Sequence, residues 1–81
     1  MRVKVRLFAS LREAAGRGEL SLDLAEAATP EDVWRALVGV HPALAERRAS
    51  LAAAVNRGYA RFDVPLSDGD EVAFIPPVSG G

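Results

Sequence analysis

Val3, Val5 and Leu7 alternate with Arg2, Lys4 and Arg6 at the start of the chain. Alternation of period two predicts a strand with one buried face and a basic outer face. Ser10-Leu11-Arg12-Glu13 has the Ser-x-x-Glu form of a capping box and predicts a short helix to about Ala15, closed by Gly16. Leu20, Leu22 and Leu24 alternate with Ser21 and Asp23, so a second strand pairs with the first across an unusually wide connection. Thr29-Pro30-Glu31-Asp32 combines an N-cap oxygen, a proline at the first helical position and acids facing the positive end of the dipole. Val33, Trp34, Leu37 and Val38 then share one helical face, which makes this the main helix, ending near Gly39 with Trp34 in the core. His41-Pro42 breaks it, and Ala43 to Ala49 form another short helix. Leu51 to Asn56 read as a strand, Arg57-Gly58 as a tight turn and Tyr59 to Phe62 as a short returning strand. After the turns at Pro65 and Ser67-Asp68-Gly69-Asp70, Glu71 to Ile75 are the last strand, with Val72 and Phe74 on one face.

One main helix laid across one face of a mixed sheet buries all of these apolar faces at once. The fold class is therefore α+β, and the element order is that of a β-grasp, or ubiquitin-like, arrangement with the first and last strands central and side by side. Residues 1–75 form the domain and residues 76–81 an extended tail.

Composition narrows the function. Eighty-one residues with 49% hydrophobic and 26% charged residues make one globular domain, with no apolar stretch long enough for a membrane span. The net charge of -1 gives no drive toward nucleic acid, and Arg2, Lys4 and Arg6 read as a solvated or partner-facing stripe. The chain has no cysteine, which removes disulfides, thiolate metal sites and cysteine nucleophiles together. Its charged start is no signal-peptide core, so the expected location is cytoplasmic. His41, the sole histidine, sits at a helix boundary and supports no catalytic triad. Asp68, Asp70 and Glu71 flank Gly69 as the acids of a reverse turn and supply too few oxygens for a cation loop, so no metal is expected. Gly16-Arg17-Gly18 lacks the lysine and helix of a phosphate cradle.

What remains is the end of the chain and an apolar surplus. Pro76 and Pro77 offer no ladder donor, and Gly80 and Gly81 add no side chain, so Pro76-Pro77-Val78-Ser79-Gly80-Gly81 is a thin arm. Its single reactive group is the α-carboxylate of Gly81, the candidate working atom. Phe8 has the parity opposite to Val3, Val5 and Leu7, and Ile75 the parity opposite to Val72 and Phe74. With Tyr59 they are expected to form an exposed apolar patch for a partner near the root of the tail.

Phe8-Ala9-Ser10-Leu11-Arg12-Glu13, Ala54-Val55-Asn56 and the run from Leu66 through Gly69-Asp70-Glu71-Val72-Ala73-Phe74-Ile75-Pro76-Pro77-Val78-Ser79-Gly80-Gly81 resemble the small, sulfur-carrier subunit of molybdopterin synthase, the MoaD family. The resemblance covers essentially the whole chain. It implies a carrier, not catalytic alone, whose Gly81 carboxylate is adenylated with ATP and converted to a thiocarboxylate. It also implies three partners: an adenylating enzyme resembling ubiquitin-activating enzymes, a sulfur donor protein, and the large synthase subunit. The tail enters the large subunit, where its sulfur passes to cyclic pyranopterin monophosphate. ATP and metal belong to the activating partner, so no cofactor is implied for this chain. Related carriers for thiamine, cysteine or tRNA thiolation, and protein modifiers joined to lysines, share the tail and its activation; with Lys4 as its only lysine, the chain is poorly equipped to build branched chains on itself.

Overall fold

A computed structural model of the chain describes residues 1–77 and contains a five-stranded sheet of order β2-β1-β5-β3-β4. The strands are β1 (Arg2–Leu7), β2 (Glu19–Asp23), β3 (Ala52–Val55), β4 (Gly58–Ala60) and β5 (Glu71–Ile75). β1 and β5 run parallel, in register from Lys4 opposite Glu71 to Leu7 opposite Phe74, and the other pairs are antiparallel. The first and last strands are thus neighbours, with β5 bonded on both edges.

Helix α2 (Pro30–Val40) lies against one face of this sheet, and its start follows from chemistry readable in the sequence. Thr29 Oγ1 accepts from the Asp32 amide at 3.3 Å while the Asp32 carboxylate accepts from the Thr29 amide at 2.9 Å, a reciprocal capping box. Those amide and hydroxyl donors of Thr29 hold the Asp32 carboxyl below the usual carboxylate range. Val33, Trp34 and Leu37 are buried against Val3, Val5, Leu7, Val72 and Phe74. Trp34 meets Phe74 edge to face at a centroid distance of 5.1 Å, a contact worth about 0.5–1.5 kcal/mol beyond the area it buries. Phe62 stacks on Phe74 at a centroid distance of 6.1 Å.

Two local expectations are corrected. Helix α1 (Ala9–Ala15) begins one residue before Ser10, with Phe8 as an N-cap that makes no side-chain bond, so the Ser10–Glu13 capping box does not form. The Phe8 carbonyl instead accepts from the amides of Leu11 and Arg12, and the helix is anchored by burial of Leu11. Its end is as expected, with Gly16 in the left-handed region at φ 76°. Helix α2 ends at Val40, beside Gly39 as expected, and the short helix expected after His41-Pro42 is a 3-10 helix (Pro42–Ser50). Finally, the β3–β4 turn is made by Asn56 and Arg57, both at positive φ, and not by Arg57-Gly58; β4 accordingly stops at Ala60.

The 3-10 helix is pinned by buried Leu44 and by Arg48. The Arg48 guanidinium lies 3.5 Å from the Phe62 ring centroid and donates to the Glu31 carboxylate from Nη2 at 2.6 Å. That hydrogen-bonded cation keeps the Glu31 carboxyl below its ordinary range.

Candidate partner-docking site

The open face of the sheet, away from α2, holds a depression of about 370 Å³. Its floor exists because two small residues face each other across β3 and β5: Ala54 is in register with Ala73. Larger side chains rise around them. Phe8 follows β1, Tyr59 pairs with Ala54 from β4, and Ile75 ends β5; all three line the depression. Phe8 is 40% exposed and Tyr59 81% exposed, whereas Ile75 is half-buried. The three residues singled out by parity are therefore brought together, with two exposed and one shared with the body.

The rim is charged. Arg6 has its guanidinium carbon 5.7 Å from the Phe8 ring centroid and its Nη1 3.9 Å from Glu71 Oε1. Arg57 completes the rim. None of Arg6, Ala54, Arg57, Glu71 and Ala73 was expected in the patch from hydrophobicity. The available signal was parity: Arg6, Glu71 and Ala73 share the face of Ile75, and the alanines at 54 and 73 leave room above them.

The rest of the anticipated basic stripe is cross-strand paired. Arg2 Nε donates to Asp23 at 3.1 Å, which keeps the Asp23 carboxyl below its usual range, and Lys4 Nζ lies 3.4 Å from Glu19. Asp68 and Asp70 serve the turn before β5: Asp68 accepts from the Arg2 amide at 2.8 Å, and Asp70 from the Ser67 amide at 2.8 Å. Among the described residues no group of three or more His, Cys, Asp or Glu is arranged to hold a metal ion. His41 caps the C-terminus of α2, its amide donating to the Leu37 carbonyl at 2.8 Å. A second depression, of about 350 Å³, lies at the start of α2, but its charged lining is paired, Glu31 with Arg48 and Arg61 with Asp63.

β5 carries the chain out beside the first depression. Pro76 is half-buried and Pro77 exposed immediately beyond Ile75. The rest of the expected arm, Val78, Ser79, Gly80 and the terminal Gly81, lies outside the described residues. No helix among the described residues is long and apolar enough to cross a membrane.

A mixed five-stranded sheet with one helix across it, and an apolar open face at the root of the C-terminal strand, defines a ubiquitin-like β-grasp protein. Residues 5–81 match the ThiS family, and the chain belongs to that family. It is 42% identical, over the full length of both chains, to the molybdopterin synthase sulfur carrier subunit of Chlamydomonas reinhardtii. The crystal structure of small archaeal modifier protein 1 from Haloferax volcanii superposes with a TM-score of 0.92 at 36% identity, covering all of both chains. A chain of the protein–protein complex of subunits 1 and 2 of molybdopterin-converting factor from Helicobacter pylori gives 0.70 at 27% identity, again over both full lengths.

Proposed function

We propose that this chain is the sulfur-carrying subunit of a molybdopterin synthase, working in the cytoplasm as a donor rather than as an enzyme alone. The full-length similarity to a molybdopterin synthase sulfur carrier subunit carries this reading. The chemistry begins at the Gly81 carboxylate, a poor electrophile. One of its oxygens attacks the α-phosphorus of ATP and pyrophosphate leaves, giving an acyl adenylate whose AMP is a good leaving group. The terminal sulfur of a donor protein's persulfide then attacks the acyl carbon and AMP departs, giving an acyl disulfide. A thiol attacks the donor-side sulfur of that bond, forming a disulfide with the donor and leaving the thiocarboxylate on Gly81. An adenylating partner binds the nucleotide, and this chain binds no cofactor of its own.

In the second half of the cycle the arm enters the large synthase subunit, and sulfur passes to cyclic pyranopterin monophosphate. Glycines at 80 and 81 suit a channel wide enough only for backbone. The apolar depression at Phe8, Tyr59 and Ile75 supplies a docking surface outside that channel, and its position beside the exit of β5 supports this use. Likeness to a small archaeal modifier favours a second reading, in which the activated Gly81 acylates lysines of other proteins.

Intact mass separates the two readings. Incubation with the adenylating enzyme, ATP and sulfur donor is expected to add about 16 Da, the exchange of OH for SH, with fragmentation placing the change at Gly81 rather than at an oxidised Met1. Deleting Gly81 abolishes the gain and leaves the melting temperature unchanged. A truncated chain that still gains sulfur, or a spread of lysine conjugates without thiocarboxylate, overturns the carrier reading.

A further inference from the structure

The β3–β4 turn lacks glycine where its geometry calls for one. Asn56 and Arg57 have φ of 50° and 73°, the doubly left-handed form of a two-residue hairpin, while Gly58 comes one residue later as the start of β4 and is not at positive φ. Asparagine tolerates that region, but an arginine there bears a Cβ clash that glycine would not. The turn cannot slide by one residue to place Gly58 where it fits, because Asn56 is clamped to the start of β5. Its amide donates to the Glu71 carbonyl at 2.8 Å and its Nδ2 donates to Asp70 at 2.9 Å, while the Glu71 amide donates to Asn56 Oδ1 at 3.0 Å. Backbone strain held in place by its surroundings is a pointer to use.

The strained residue carries a guanidinium to the rim of the apolar depression. Across the rim, Arg6 already has Glu71 within 3.9 Å. Among the described residues Arg57 has no ion-pair partner, so the rim holds one uncompensated cation beside exposed Tyr59.

We propose that Arg57 is a specificity-determining residue of the docking face, recognising a carboxylate that the large synthase subunit presents beside an apolar side chain seated in the depression. The proposal rests on the carrier reading and adds the chemistry of the partner surface: an apolar wedge flanked by an acid. Charge complementarity selects that occupant, since an apolar wedge alone would leave the guanidinium unpaired as water is expelled from around it.

Association with immobilised large synthase subunit tests this, at low and high salt, for the parent, Arg57→Gly, Arg57→Ala and Arg57→Lys. Loss of a rim charge acts mainly on the on-rate, so Arg57→Gly and Arg57→Ala are expected to associate roughly three- to tenfold more slowly at low salt, with the gap closing as salt rises. Arg57→Lys keeps most of the rate. Thermal melts give an independent readout: Arg57→Gly melts at or above the parent and above Arg57→Ala, because only glycine relieves the left-handed strain. Variants that associate as the parent does, or an Arg57→Gly that melts below Arg57→Ala, overturn the inference. A parent chain that does not bind the large subunit removes the carrier reading, and this inference with it; a binding parent with indifferent variants removes this inference alone.

Discussion

Tyr59 is 81% exposed in a three-residue strand, and Phe8 is 40% exposed at a helix N-cap, so neither ring contributes much to holding the body together. Ile75 differs: it is half-buried and paired with Ala52, and its side chain serves both the body and the depression. Truncation should therefore split the three. Tyr59→Ala and Phe8→Ala are expected to change stability by less than about 1 kcal/mol, while each weakens binding to the large synthase subunit by 1–2 kcal/mol or more, roughly five- to thirty-fold. Ile75→Ala should lose both affinity and stability. Calorimetric titration beside denaturant melts decides the matter; a Tyr59→Ala that destabilises without altering affinity would assign the ring to the fold.

At the level of elements, legibility tracked how far each signal was local. The start of α2 was readable because Thr29, Pro30 and Asp32 form their cap among themselves. β1 and β5 were readable because one face of each is fully buried, which forces strict alternation. Ser10 misled because a capping-box pattern competes with burial of Leu11, and burial set the helix start. The turn at Asn56 misled for a related reason: its position is fixed by bonds to Asp70 and Glu71, more than a dozen residues away, which no local propensity encodes. The same holds for the tie between α2 and the 3-10 helix, where Arg48 reaches back to Glu31. That pair carries a pH dependence with a definite sign. Arg48 depresses the Glu31 pKa in the folded chain, so its contribution is present above the usual carboxylate range and is lost as pH falls through the lowered value. Both side chains are about a third exposed, and solvent screening limits the pair to no more than about 1 kcal/mol. Glu31→Gln should lower the melting temperature near neutral pH, by up to about 8 °C, and match the parent once pH has fallen below the lowered Glu31 value. A constant difference across that range would show that the carboxylate's charge is not what Arg48 uses.

Across the whole molecule, the position of β5 between β1 and β3 determines how the body answers a load. The chain leaves β5 at Ile75, so tension applied to the tail acts along the strand axis. Both flanking ladders then resist in shear, their bonds stretched together, whereas a hairpin pulled at its open ends unzips one bond at a time. Since β1 is parallel to β5, tension between the N-terminus and the tail draws the two strands past each other lengthwise. The absence of cysteine makes the comparison practical, because introduced thiols become unique attachment points. Single-molecule stretching between handles at the two termini is expected to need a clearly higher rupture force than stretching between thiols at Ala52 and Ala60, which open the β3–β4 hairpin from its ends. Equal forces would mean that β5 peels. As a mechanical part, the body is a grip whose handle is threaded through its middle: a partner that drew the arm into a narrow channel, as proposed above, could haul on it without prising the sheet apart.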